Sequence, residues 1–294
     1  MVFEVKGIIV AMVTPLKEDE SLDEEGLRAL INYLIEGGVH GIFCCGSQGE
    51  IYSLTDEERR KVIDITVDEV NGRVPVYAGT GEITTEKVIR LTKYAKDAGA
   101  DAASIVTPYF IKPSSHELYM HYKRIAEAVD IPIILYNNPD RTGVNLDAQT
   151  VSRLAEIDNI IGIKDSSGDL TLTAEYIRLT PEDFAVIAGR DSLILATLLY
   201  GGKAAIAATA NVAPKLVVEI YESYIKGDLK RAREAQFKLL PLRTAFSLGT
   251  FPVVVKEAMK MIGKPAGPAK SPVGSMSEEN RKKLASVLQD LGLI

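Results

Sequence analysis

The chain has 294 residues, 46% of them hydrophobic and 25% charged, with a formal net charge of −6. This is the make-up of a water-soluble globular protein with a large core, and its acidic balance gives no footprint for nucleic acid. The first residues carry Glu4 and no signal-like apolar run, and no stretch reaches the roughly eighteen apolar residues of a membrane span, so a cytoplasmic protein is expected.

In chain order, eight short apolar runs alternate with longer amphipathic segments. The runs are Gly7–Pro15, Gly41–Gly46, Val74–Gly79, Ala102–Pro108, Ile131–Asn137, Ile160–Lys164, Phe184–Gly189 and Ala204–Thr209. Each lacks polar alternation, as a parallel strand buried on both faces requires. Between them, Ser21–Glu24 and Thr55–Glu58 fit capping boxes, and Gly37-Gly38, Gly99 and Gly201-Gly202 mark helix ends. Eight such units predict an α/β fold, a closed (β/α)8 TIM barrel, over residues 1–225. Residues 226–294 read as a C-terminal helical extension. The mostly helical pattern begins near position 213 and breaks near Gly227 and at Gly249–Pro252. A loop over Lys264–Met276 precedes a last helix over Ser277–Leu291.

The sequence offers no metal-ligand cluster. Cys44 and Cys45 are adjacent within an apolar run, where neighbours on a strand point to opposite faces, and they read as small buried hydrophobes. His116 and His121 are five apart, which misses the spacing that puts two ligands on one helix face. Gly79-Thr80-Gly81 lacks the third glycine of a dinucleotide fingerprint.

A barrel carries its active site at the C-terminal ends of its strands. Polar residues crowd that rim here: Gly46–Glu50, Thr107–Phe110, Tyr136–Gly143, Lys164–Gly168 and Gly189–Asp191. Lys164 closes an otherwise apolar strand, where desolvation disfavours an ammonium and favours the neutral amine that Schiff-base chemistry needs. An ion pair with Asp165 or Asp191 is the competing reading of Lys164, and the stronger one for that residue alone. Tyr136 ends the neighbouring strand, where a phenol can shuttle protons or simply pack. The backbone N–H groups and hydroxyl of Gly46-Ser47-Gln48-Gly49 suit an anion, although glycine turns of this kind are common. Arg141 is placed to clamp a second carboxylate or to lie solvated on the surface.

Together these strings resemble the dihydrodipicolinate synthase / N-acetylneuraminate lyase family of pyruvate-dependent Schiff-base enzymes. The similarity runs from Gly7–Pro15 to the C-terminal helices. It is most specific in Tyr136–Gly143, Gly162–Asp169 and Gly46–Glu50. The resemblance implies Lys164 as the Schiff-base lysine, Tyr136 as the proton-transfer tyrosine and Ser47 as the hydroxyl relay. It implies Gln48 and Ile206 beside the pyruvate carboxylate, with Gly49, Tyr109, Arg141, Gly189 and Asp191 as further substrate contacts. It further implies no cofactor beyond the covalent imine on Lys164, a 2-oxo acid and an aldehyde as small-molecule partners, and a homotetramer built as a dimer of dimers.

Two positions depart from the synthases. Gln48 stands where they have the second of two threonines. Phe110 stands where they have a tyrosine that reaches the neighbouring subunit's relay. These departures favour a class I aldolase or lyase acting on a 2-oxo acid such as a 2-keto-3-deoxy sugar acid. The alternative is 4-hydroxy-tetrahydrodipicolinate synthase, which joins pyruvate to aspartate semialdehyde and which Arg141 favours. A sugar-acid dehydratase and a non-catalytic ligand-binding relative complete the set. Where the lysine-inhibited members carry acidic and amide side chains, this chain has Lys87 and Ile83, which predicts no feedback inhibition by lysine.

Overall fold

In the computed structural model, which describes residues 3–294, eight parallel strands close into a barrel in chain order, with β8 returning to pair with β1. The strands are β1 Gly7–Ala11, β2 Gly41–Cys44, β3 Val76–Gly79, β4 Ala102–Val106, β5 Ile133–Asn137, β6 Ile160–Asp165, β7 Ala185–Ala188 and β8 Ala204–Ala207. All eight expected strands are present. β1, β2, β4, β7 and β8 stop short of the ends of their apolar runs, whose last residues pass into the rim loops, while β3 and β5 begin two residues into theirs.

Around the strands lie α1 Glu24–Glu36, α2 Asp56–Val70, α3 Thr85–Asp97, α4 Ser115–Ala128, α5 Pro139–Thr142, α6 Ala148–Leu154, α7 Leu170–Leu179, α8 Ile194–Leu199 and α9 Pro214–Ile225. The chain continues through α10 Leu229–Thr244, α11 Val253–Met261 and α12 Glu278–Asp290. No helix among the described residues is long and apolar enough to cross a membrane.

Strand periodicity splits the core into two layers. Ile9, Phe43, Tyr77, Ile134, Ile187 and Ile206 fill the barrel interior. Ile8, Val10, Ile42, Ile133 and Leu135 belong to the layer between strands and helices. Such double-sided burial explains why the strands read as unbroken apolar runs.

Local signals mostly act as read. Thr55 and Glu58 form the expected capping box on α2, with the Glu58 amide donating to Thr55 Oγ1 at 3.2 Å and the Thr55 amide donating to Glu58 Oε2 at 2.8 Å. The box expected at Ser21–Glu24 does not form. Ser21 is held in a turn by Asp19, and the helix begins later, with Asp23 accepting from the Gly26 amide at 3.0 Å. Cys44 ends β2, and Cys45 lies just beyond it at φ +52°; both are free and buried.

The helices after α9 are fastened to the barrel mouth. Gln236 of α10 donates to the Asp191 carbonyl at 2.9 Å and accepts from the Leu195 amide at 3.1 Å. Lys256 of α11 forms an ion pair with Glu50 of the β2 loop, and both side chains are almost wholly buried. The second Glu50 oxygen accepts from the Lys270 amide at 2.9 Å, and Lys256 also donates to the Pro268 carbonyl at 2.6 Å.

Candidate active site

The C-terminal ends of the strands open into a cavity of about 540 Å³. Its walls include Ser47, Gln48, Tyr136, Arg141, Lys164, Gly189, Asp191 and Ile206, which come from strands far apart in sequence.

The centre of the site follows from register. Tyr136 of β5 and Lys164 of β6 are direct partners across adjacent parallel strands, so their side chains share a face. Lys164 Nζ lies 4.1 Å from the centroid of the Tyr136 ring and 5.0 Å from that of Phe43, which belongs to the core beneath. Lys164 is 4% exposed.

The next residue pair in the register, Asn137 and Asp165, faces the other way. There Asp165 accepts from Asn137 at 3.2 Å, from the Ser167 amide at 2.9 Å and from Thr173 at 2.7 Å. Asp191 Oδ2 is taken by the amide and hydroxyl of Thr209, each at 2.6 Å. The ion-pair reading of Lys164 is therefore wrong: both carboxylates are engaged elsewhere, and strand alternation carries Asp165 away from the amine.

Tyr136 is buried, and its hydroxyl accepts from Asn138 Nδ2 at 2.8 Å. Burial alone would raise its pKa. The neighbouring Lys164 charge and the hydrogen bonds of Ser47, Ser166 and Asn138 outweigh that, so the phenol lies below its ordinary value of 10.0. Such a phenol gives up its proton more readily than a free tyrosine.

The rim loops are braced from β7. Arg190 donates to the Ser166 carbonyl at 2.9 Å and pairs with Asp140, joining three strand ends. A side chain at Gly189 would overlap the Ser166 hydroxyl and the Asp165 carbonyl, so only glycine fits there. Arg141 rides on the short helix α5, which Pro139 opens and Gly143 closes at φ +69°. Its guanidinium stacks over Phe251 at 4.2 Å from the ring centroid.

Among the remaining expected residues, Gln48 lies within the wall and Gly49 and Tyr109 lie outside it. The Gln48 side chain is buried, with neither amide atom hydrogen bonded, an arrangement that costs about 1–3 kcal/mol per unsatisfied group. Gly49 lies behind the wall, its carbonyl accepting from Thr14 at 2.7 Å. Tyr109 is also absent from the wall. It is half-buried and lies within the electrostatic reach of Glu82 and Arg59, themselves a buried ion pair. Phe110 is 93% exposed, with its backbone at φ +73°. Lys87 is exposed near the start of α3.

Several wall residues had been given no role. Asn138, Asp140 and Ser166 stand inside strings already singled out, and the rim position of each was the available signal. Arg243, Phe246 and Phe251 come from the C-terminal extension, whose sequence carries no strand-end signal at all. Among the described residues, no group of three or more His, Cys, Asp and Glu side chains is placed to hold a metal ion.

Comparison with known proteins agrees with this geometry. The model of the dihydrodipicolinate synthetase family matches residues 4–291. The chain is 45% identical to a 4-hydroxy-tetrahydrodipicolinate synthase of Methanopyrus kandleri, covering 100% of this chain and 99% of that one. It is 47% identical to a protein of the same name from Thermodesulfovibrio yellowstonii, covering 98% and 99%. A crystal structure of chloride-inhibited dihydrodipicolinate synthase from Acinetobacter baumannii, complexed with pyruvate, superposes with a TM-score of 0.96 at 40% identity, covering 99% and 100%. These likenesses favour the synthase alternative over the sugar-acid aldolase reading that Gln48 and Phe110 had suggested, and they lend no support to a sugar-acid dehydratase. The chain belongs to the dihydrodipicolinate synthetase family, and it is an enzyme of the lyase type.

Proposed function

We propose that the chain is a 4-hydroxy-tetrahydrodipicolinate synthase, which condenses pyruvate with aspartate semialdehyde through a Schiff base on Lys164. The observation that carries this reading is the pairing of Lys164 with Tyr136 in the barrel mouth of a chain 45% identical, end to end, to a protein of that name.

The Lys164 amine adds to C2 of pyruvate, and the ketone oxygen takes up a proton to give a carbinolamine. That oxygen leaves as water and an iminium remains. Loss of a proton from C3 gives an enamine, whose C3 attacks the aldehyde carbon of aspartate semialdehyde as the aldehyde oxygen is protonated. The amino group of the adduct then displaces Lys164 from C2 and closes the ring. Tyr136 carries protons in the early steps, with Ser47 bonded to its hydroxyl. The iminium is itself the electron sink, so no further cofactor enters. Arg141 receives the carboxylate of the aldehyde, for which a planar guanidinium is suited.

The enzyme acts as a homotetramer in this reading. Exposed Phe110, Leu199 and Tyr200 give apolar surface for partner subunits to cover. A monomer in sedimentation velocity at micromolar concentration would contradict the assembly.

A coupled assay decides the substrate. Pyruvate with aspartate semialdehyde is expected to turn over at least tenfold faster than pyruvate with any of a panel of neutral hydroxyaldehydes, since charge-assisted hydrogen bonds are worth about 1.5–3 kcal/mol. A higher rate with a hydroxyaldehyde would restore the sugar-acid reading.

A further inference from the structure

Six charged side chains line the active-site cavity: the basic Lys164, Arg141, Arg190 and Arg243, and the acidic Asp140 and Asp191. Asp140 is paired with Arg190, and Asp191 is held by Thr209. That accounts for both carboxylates. Arg141 and Arg243 have no carboxylate within 4.0 Å among the described residues. Each instead lies over a phenyl ring of the same C-terminal stretch, Arg141 over Phe251 at 4.2 Å and Arg243 over Phe246 at 5.2 Å. A ring face holds a guanidinium in place without consuming its N–H donors, which stay available for a planar anion. Arg243 is half-buried in the last turn of α10, so capping of the helix carbonyls is the ordinary alternative role for it.

We propose that Arg243 is a specificity-determining residue, a guanidinium from the C-terminal extension that works with Arg141 to receive the acidic group of the aldehyde substrate. Pyruvate, tethered through C2 to Lys164 in the proposed reaction, is placed beside Phe43, whereas Arg243 reaches the cavity from α10, over Phe246 of the extension. The extension thereby selects aldehydes that carry a carboxylate away from the reacting carbon. The assignment rests on the proposed Schiff base at Lys164 for the place of pyruvate, and on the proposed condensation for the name of that aldehyde.

The test uses the full chain and Arg243→Met, which keeps the length and apolar contact of the side chain but removes its donors. With pyruvate and aspartate semialdehyde, the KM for the aldehyde is expected to rise about tenfold or more. The KM for pyruvate and the yield of borohydride-trapped pyruvate should change less than about twofold, a margin small against that tenfold step. A pure helix-capping role would move the melting temperature and leave the aldehyde KM alone, and that result overturns the proposal. So does a parallel rise in both KM values. In a second measurement, 4-oxobutanoate and neutral butanal are titrated calorimetrically into the pyruvate-loaded chain. Preference for the charged aldehyde, lost in Arg243→Met, supports the assignment even if aspartate semialdehyde proves not to be turned over, which would count against the synthase reading alone. Failure of the parent chain to prefer 4-oxobutanoate also overturns it.

Discussion

At the scale of single residues, the proposed chemistry turns on how the neighbours of Tyr136 set its proton affinity. Burial pushes the phenol up, and the Lys164 charge with the hydrogen bonds of Ser47, Ser166 and Asn138 brings it below 10.0. Hydrogen bonds donated to an oxygen that becomes negative favour the deprotonated form. Removing one should therefore raise the pKa. In Ser47→Ala, the alkaline limb of the pH–rate profile that reports Tyr136 is expected to move to higher pH and the maximal rate to fall about 10²-fold or more, the range typical of a general acid–base contribution. An unchanged limb would mean that Ser47 does not act on the phenol. The place of Lys164 and Tyr136 in the mouth could be read from their position at strand ends, because a barrel projects those residues there, whereas the roles proposed for them came from the family resemblance. The freedom of Lys164 from Asp165 was equally implicit in strand alternation. What sequence spacing could not reveal was that Asp191 is committed to Thr209, eighteen residues on and across a strand.

At the scale of elements, the strands were legible because burial on both faces leaves an unbroken apolar run, and the capped helices because Thr55-x-x-Glu58 satisfies its own orphan amides. Ser21 misled because Asp23 lies two residues nearer the true helix start and outcompetes it. The extension was legible as helices but silent about its part in the site. Periodicity describes which face an element buries, not which distant loop that face meets. Lys256 shows this. Its partner Glu50 stands about two hundred positions earlier, and the pair ties α11 to the loop that carries Ser47 and Gln48. Breaking a buried ion pair from one side leaves an uncompensated charge. Lys256→Met should accordingly destabilise the chain by roughly 3–5 kcal/mol in urea unfolding, and pairing it with Glu50→Gln should recover part of that loss. If Lys256→Met unfolded at the parent's midpoint, the pair would not be the strut that the fold suggests.

At the scale of the whole molecule, one architecture separates stability from chemistry. The apolar interior, from Ile9 to Ile206, supports a floor on which Lys164 stands, while loops from the strand ends and the extension build the polar mouth above it. The extension is part of the cavity wall, since Arg243, Phe246 and Phe251 all come from it. Everything proposed for the reaction depends on the amine at the end of β6 becoming an imine. The most direct measurement is borohydride reduction in the presence of pyruvate, followed by mass mapping of the peptides, on the parent chain and on Lys164→Ala. The account predicts a reduced pyruvate adduct on the peptide that contains Lys164, and neither adduct nor turnover in Lys164→Ala. An adduct on another lysine, or a Lys164→Ala chain that still condenses pyruvate with an aldehyde, would contradict it.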